Sequence, residues 1–408
     1  MSKSTNFTGQ PILNQLLKFL DKGKIRKIAM ENQADRYVKK FSTYNHLVVM
    51  LFAAFEGYQS IREVIWGLLG EAHKMAHLGL NYIVKRSTFS EANKRRSSEV
   101  FGEIYMSVYR KHAPVLADSY LTRTDMKRLY IMDSTTVSLF KEILQGVGRL
   151  SKDGKRKGGI KAHTIIKADE NVPYLIRYSE AAKHDHFFLE EAHRLPKGSI
   201  ITFDKGYVDY AQYEKFSENH IWYVTRLKDN AIYKSTKYFD LQEESAVRKD
   251  EEITLYYGVN KKKQHRARRI VYWDADNKRL FEFVTNNFGL KAEQIARIYK
   301  QRWQIELLFK QLKQNFPLKY FLGDNENAIE IQIWAAMLAN LLITLIKSKV
   351  KRSWAFSNMV SVIRQQLMNY VNIYSFLEDP EGTWRKLIKQ RTDDYENSLF
   401  PEIRGAYF

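Results

Sequence analysis

The chain has 408 residues, 44% hydrophobic and 27% charged, the make-up of a packed globular protein with two or three domains rather than a disordered one. Lys and Arg number 66 against 46 Asp and Glu, a formal charge of +20, and there is no cysteine, so disulfides and thiolate metal sites are excluded. A cationic surface of that size selects polyanions, nucleic acid first.

Residues 1–120 read as helical. "MSKSTNFTGQ" lacks the apolar core of a signal peptide. "PILNQLLKFL" opens with Pro11 at a helix start, and the apolar segments "YNHLVVMLFAAFEG" and "IREVIWGLLGEAHKMAHLG" close on Gly57 and Gly79. In "RSTFSEANKRRSSEVFGEIYMSVYRKH" Ser87 is a plausible N-cap, and Lys94, Arg95 and Arg96 cluster one or two turns into a helix. Short helices followed by a basic one suggest a helix-turn-helix-like DNA reader. The plainer reading is that the three cations are a solvated face.

From about residue 127 the periodicity changes. "RLYIMDSTTVSLF", "GGIKAHTIIKAD", "VPYLIRYSEA", "SIITFDKG" and "IWYVTRLKDN" are rich in β-branched and aromatic residues, with the helix-like "HDHFFLEEAHRL" and "YVDYAQYEKFSENH" between them. The order predicts a mixed sheet covered by helices. Residues 231–288 read as a β-rich insertion, from "YFDLQ" to "KRLFEFVTNN". Helices are predicted again over 291–315, 326–350 and 353–377, and the pattern weakens from about 379. The most apolar run, "IQIWAAMLANLLITLI" (331–346), is shorter than the ~20 residues a spanning helix needs and carries Gln332 and Asn340. It reads as a buried core helix, and the protein as cytoplasmic with no membrane partner.

Three carboxylates stand out. Asp133 closes the apolar strand "LYIMD", and Asp204 closes "IITFD". Such positions lie at a sheet rim, where a carboxylate is costly to hold unless something neutralises it. Either Asp alone is more often a turn or cap residue. The third is Glu306 in "YKQRWQIELLFKQLK" (299–313), where Tyr299, Arg302, Glu306, Lys310 and Lys313 fall in one sector of a continuous helix and Ile305, Leu308, Phe309, Leu312 and Phe316 in another. Three carboxylates converging on one rim suit hard divalent cations, and phosphoryl transfer is the chemistry that follows.

The spacing Tyr-x2-Arg-x3-Glu-x6-Lys, met by Tyr299, Arg302, Glu306 and Lys313, resembles the signature helix of the bacterial transposases usually called the insertion-sequence-four family. "MDSTT" and "TFDKGY" resemble the two Asp motifs of these DDE enzymes. The long stretch from Asp204 to Glu306 resembles a ribonuclease-H-like core interrupted by a β insertion. The resemblance implies an α/β fold: a helical DNA-binding region (1–120), a mixed-sheet catalytic core (121–230 and 289–320) broken by the insertion (231–288), and a helical C-terminal region (321–408). It implies Asp133, Asp204 and Glu306 as ligands of two Mg²⁺ or Mn²⁺ ions, with Tyr299, Arg302 and Lys313 on DNA phosphates. The expected reaction is hydrolytic cleavage at element ends and joining of 3′-hydroxyls to target DNA, on double-stranded DNA in the nucleoid, by a homodimer or larger assembly. Some relatives stack an aromatic of the insertion on a flipped base. Phe281, Trp273 and Trp222 are the candidates here, although a strand-interior aromatic is more often core.

The cations of "KKKQHRARR", Lys261, Lys262, Lys263, Arg266, Arg268 and Arg269, repel one another without a polyanion, so DNA contact is expected there. Lys152, Lys155, Arg156, Lys157 and Lys161 form either a hairpin tip or a phosphate-contacting loop. "KHDHFF" (183–188) could hold a metal but reads as a helix start, with Asp185 as cap. His163 reads as a satisfied sheet residue. No glycine run matches a phosphate-binding P-loop. Two further readings are a non-enzymatic DNA-binding descendant of a transposase and a metal-dependent nuclease without strand transfer.

Overall fold

The computed structural model describes residues 9–116, 124–138, 159–168, 170–180, 185–241, 245–316 and 318–396. Among the described residues six α-helices come first, with a 3-10 helix (Ala72–Leu78) between the fourth and fifth: α1 (Ile12–Leu17), α2 (Lys22–Glu31), α3 (Thr43–Glu56), α4 (Ile61–Gly70), α5 (Arg86–Arg95) and α6 (Ser98–Leu116). Asp21, Ser42 and Ser60 cap α2, α3 and α4 by accepting from backbone N–H groups, each satisfying a donor that the first turn leaves unpaired. Gly57 closes α3 at φ 79°, a left-handed conformation that glycine adopts without strain.

The basic helix expected after residue 86 is two helices. Arg96 between them has an extended backbone. Its guanidinium is buried, bonded to Asp35, the Phe41 carbonyl and His46, and this inward anchor turns the chain out of the helix. Asn327 closes the gap: its side-chain oxygen accepts from Ser98 N–H and its amide donates to the carbonyls of Asn93 and Arg96.

After α7 (Thr124–Lys127) the described residues form one nine-stranded sheet: β1 (Leu129–Ser138), β2 (Gly159–Lys167), β3 (Pro173–Glu180), β4 (Ile200–Phe203), β5 (Trp222–Arg226), β6 (Tyr233–Tyr238), β7 (Val247–Tyr257), β8 (Lys263–Asp274) and β9 (Arg279–Thr285). Their order is β3-β2-β1-β4-β5-β9-β8-β7-β6. β1 runs parallel to β4, and β4 to β5; every other pair is antiparallel. The β-rich stretch 231–288 therefore extends the same sheet, through the β5–β9 pair, rather than standing beside it. Helices α8 (Leu189–Ala192) and α9 (Tyr210–Glu218) fall between strands as their sequence patterns predict.

Alternation along the strands builds two cores. Tyr130, Met132, Ile201 and Phe203 join α8 and α9 on one face. Leu129, Ile131 and Ile200 join the larger core, shared by the N-terminal helices, α10 (Ala292–Lys300), α11 (Trp303–Asn315) and α12 (Glu326–Lys347). Beyond them lie α13 (Phe356–Gln365), α14 (Ile373–Glu378) and α15 (Pro380–Glu396). α12 has the length and apolarity to cross a membrane, but 89% of its most apolar window is buried inside the protein, the core helix expected. It lies close enough to α6 that a Cβ on Gly102 would meet the Trp334 ring at 2.8 Å. The terminal regions meet directly: Gln15 donates to Val371 and accepts from Ile373, and Arg364 donates to the carbonyls of Phe55 and Asn315.

Candidate active site

Asp133 and Asp204 are neighbours by register. The last parallel pair between β1 and β4 is Met132 with Phe203, so the next residue on each strand is one of these aspartates. Asp133 is not at its strand's end as expected: β1 continues to Ser138 because β2 goes on pairing with it after β4 has stopped. Asp133 follows Ile131 in the alternation and faces the larger core, where α10 and α11 lie. Asp204 caps the 3-10 turn Lys205–Tyr207, accepting from Gly206 N–H at 3.3 Å.

The helix carrying Glu306 is broken, where the sequence pattern predicts a continuous one. α10 ends at Lys300 and α11 begins at Trp303; between them Arg302 N–H bonds to Tyr299 and Gln304 N–H to Gln301, tighter i→i−3 links in place of i→i−4. Tyr299 thus lies in the last turn of one helix and Glu306 in the first turn of the next. The Tyr299 ring is buried, 5.0 Å from Phe283. The apolar stripe is as expected: Ile305, Leu308, Phe309, Leu312 and Phe316 are all buried.

Arg302, at the break, bridges the site. Nη2 lies 2.6 Å from Glu306 and Nη1 3.3 Å from Asp133. Burial pushes the Asp133 carboxyl up to about 6; Ser134 N–H and Arg302 oppose the shift, and the nearby Glu306 and Asp204 charges reinforce it. Lys313, its ammonium pKa lowered by burial, donates to the Thr136 carbonyl at 3.3 Å. Asp133, Ser134, Glu306, Lys310 and Lys313 line an open cleft of about 560 Å³. A larger groove of about 1010 Å³ between α6 and the edge strand β3 mixes Lys24, Arg110 and Arg177 with Glu31, Glu99 and Glu330, and none of the three candidate carboxylates reaches it. The smaller cleft is where acid groups and cations converge.

The donor set in that cleft is oxygen only, which suits a hard divalent ion rather than a soft one. Among the described residues no three His, Asp or Glu side chains form a ready-made metal cage. The Arg302 guanidinium holds the place between two of the carboxylates.

The other predicted cations separate into two groups. Lys94 and Arg95 are exposed at the end of α5, with Arg95 3.4 Å from Glu91, whereas Arg96 is internal. Lys261, Lys262 and Lys263 are exposed where β7 turns into β8. Arg266 makes a bidentate pair with Glu252 at 2.7 and 2.8 Å. Arg268 is buried on Asp250 at 2.6 and 2.8 Å, and Arg269 on Glu251 and Glu282. These carboxylates neutralise the three arginines within the protein.

The aromatic candidates are all half-buried. Phe281 stacks on Phe283 at 5.8 Å with Arg226 and Arg279 over its ring, and Trp222 packs on the larger core. Trp273 pairs across to Leu280. Trp303, 58% exposed, opens the helix whose Glu306, Lys310 and Lys313 line the cleft, with Leu307 one turn on at 52%. Its signal in the sequence was an apolar residue outside both the charged sector and the core stripe. Lys152, Lys155, Arg156, Lys157 and His184 lie outside the described residues. Lys161, placed with that loop, is instead a buried β2 residue, and Asp185 is engaged by Ser134 and Lys161.

The sequence profile described as a transposase DDE domain matches residues 124–342, and a domain of unknown function, DUF4372, matches residues 8–81. A putative transposase, y4zB, of Sinorhizobium fredii is 30% identical over 263 residues, 63% of this chain and 70% of that one. A putative transposase for insertion sequence element IS4SA of Synechocystis is 28% identical over 269 residues, 64% and 71% of the two chains. Among solved structures, the piggyBac transposase synaptic complex with hairpin DNA aligns over 94% of this chain and 83% of its own, with a TM-score of 0.43 and 9% identity.

Proposed function

Because the chain belongs to the DDE-domain transposases, we propose that Asp133, Asp204 and Glu306 are the carboxylates from which its chemistry is built. The protein is a DNA transposase, an enzyme of metal-dependent DNA cleavage and strand transfer. One observation carries the residue assignment: Asp133 and Asp204 continue two paired parallel strands, and Arg302 links Asp133 to Glu306 across one cleft. The strand order β3-β2-β1-β4-β5, with β1 antiparallel to β2 and parallel to β4, supports a ribonuclease-H-like core. Placement in the insertion-sequence-four branch rests on the Tyr299–Arg302–Glu306–Lys313 spacing.

Mg²⁺ or Mn²⁺, two ions per site, is the cofactor we propose. When bound, such a pair supplies activation of the attacking water or 3′-hydroxyl and neutralises charge at the leaving oxygen. The protein's own task is placement and charge. Arg302 moves from the carboxylates to a phosphate oxygen, for which its planar fork is suited. Lys313 and Lys310 line the cleft on the same side and hold the neighbouring phosphates. Tyr299, packed on Phe283, fixes the angle at which Arg302 leaves α10. Trp303 and Leu307 present an apolar surface to the bases beside the scissile bond. Lys94, Arg95 and Lys261–Lys263 extend the DNA contact away from the cleft. Both element ends must be held at once, so the active form contains at least two protomers, acting in the nucleoid.

Affinity cleavage tests the assignment. Fe²⁺ substituted for Mg²⁺ and treated with ascorbate and peroxide cuts nearby backbone. Cuts near residues 133, 204 and 306 are expected, and cuts confined to other segments would refute the site.

A further inference from the structure

The two strands that hold Asp133 carry a second polar cluster on their opposite face. Ser134 pairs with His163 across β1 and β2, and Thr136 with Lys161, so Ser134, His163 and Lys161 share the face away from Asp133. The Asp185 carboxylate reaches up to them. One oxygen, Oδ1, accepts from Ser134 Oγ at 3.0 Å and from Lys161 Nζ at 2.9 Å, and lies 3.8 Å from His163 Nδ1. Lys161 and His163 are each 3% exposed. Phe188, three residues beyond Asp185 in the 3-10 turn Asp185–Phe188, stacks on the His163 ring at 5.0 Å, which fixes the turn beneath the strands. The same turn packs against the 3-10 turn Lys205–Tyr207 that Asp204 caps.

Asp185 thus touches the elements of both strand-borne carboxylates and takes no part in lining the cleft that holds Asp133. Its link to Asp133 is short: Ser134 gives its hydroxyl to Asp185 and its backbone N–H to Asp133 Oδ1 at 2.8 Å. As a stabiliser the Lys161–Asp185 pair, buried at the lysine and 26% exposed at the aspartate, is poorly chosen, since apolar residues around a buried ammonium's place often serve as well or better. As a positioner it is apt, because a carboxylate held by a buried ammonium has little freedom to move.

We propose that Asp185 is a positioning residue for the DNA-cleaving centre: through Ser134 it sets the orientation of the Asp133 carboxylate relative to Asp204. The proposal rests on the assignment of Asp133 as a metal ligand. Asp185 makes no contact with substrate or metal; it acts as outer partners of metal ligands do, by fixing the ligand's direction.

Two alterations separate positioning from folding. Ser134→Ala cuts the link, together with the hydroxyl's other partner, the Tyr207 hydroxyl, and removes no charge; Asp185→Asn with Lys161→Met removes the ion pair without stranding a buried charge. Mn²⁺ binding to the full-length protein is titrated calorimetrically, alongside thermal unfolding without metal. Each alteration is expected to weaken Mn²⁺ binding by about tenfold, the combination no further than either alone, with Ser134→Ala melting as the wild type does. Wild-type Mn²⁺ affinity in Ser134→Ala, or effects that multiply when combined, would overturn the proposal. Asp133→Ala in the same titration tells the two readings apart. If it too binds as the wild type does, the site assignment has failed; if it alone weakens binding, only the role of Asp185 has.

Discussion

Arg302 donates to Glu306 across 2.6 Å from the break between two helices, and its other nitrogen reaches Asp133. The guanidinium is therefore the counter-charge of two proposed metal ligands, and a divalent ion must displace it. Arg302→Ala should strengthen Mn²⁺ binding to the DNA-free protein, on the order of tenfold if about 1.4 kcal/mol of competition is released. Cleavage of DNA should fall in the same variant, because the proposed phosphate clamp is gone. Calorimetry and a single-turnover cleavage assay measure the two effects. Metal affinity that falls with activity would mean that Arg302 supports the ligands rather than competing for them.

The Asp133 carboxyl sets a pH dependence. Its ordinary value is 3.8 and burial raises it to about 6, so between those values the folded chain holds a proton that the unfolded chain has lost. That contribution is complete below 3.8 and is lost as pH rises through 6, so the metal-free protein loses stability across the window. Asp133→Asn cannot titrate and should flatten this part of the Tm profile between about pH 4 and 8, gaining on the wild type at the alkaline end. Metal binding should weaken below about pH 6, where the proton occupies the ligand. Parallel wild-type and variant Tm profiles would contradict the assigned shift.

Cations that look equivalent in "KKKQHRARR" should behave as two classes. Arg268→Ala leaves Asp250, 6% exposed, without its partner and should cost about 3–5 kcal/mol in chemical denaturation. Replacing Lys261, Lys262 and Lys263 together by Ala should leave stability nearly unchanged. It should instead weaken DNA binding and flatten its salt dependence, by roughly one power of salt concentration for each phosphate these lysines neutralise. A salt slope equal to the wild type's would remove this turn from the DNA interface.

Most of the strands, the buried run 331–346, the core stripe of α11 and the family were legible from alternation, hydropathy and motif spacing; β6 (Tyr233–Tyr238) instead precedes the segment "YFDLQ" that read as a strand. What escaped depended on partners distant in the chain. Nothing local in "MDSTT" says that β2 goes on pairing beyond Asp133. Asp250 and Glu251 cancel Arg268 and Arg269 only because β7 and β8 pair in one register, so two of the six cations in a run read as a polyanion site belong to an internal ion-pair ladder. The division of 86–116 into two helices follows from Arg96 finding Asp35, Phe41 and His46, all on other elements. The break before Trp303 has no Pro or Gly to announce it. Asp185 read as a cap because Ser134 and Lys161 approach it only in the folded sheet.

The central claim is that Asp133, Asp204 and Glu306 act as one metal-holding set. Its most direct test is single-turnover cleavage, with Mg²⁺, of duplex DNA carrying the element's own end, by the wild type and by Asp133→Asn, Asp204→Asn and Glu306→Gln. Metal-free DNA binding serves as the control for folding. Each variant should bind DNA and fail to cut it. Wild-type cleavage by any one of them would contradict the account.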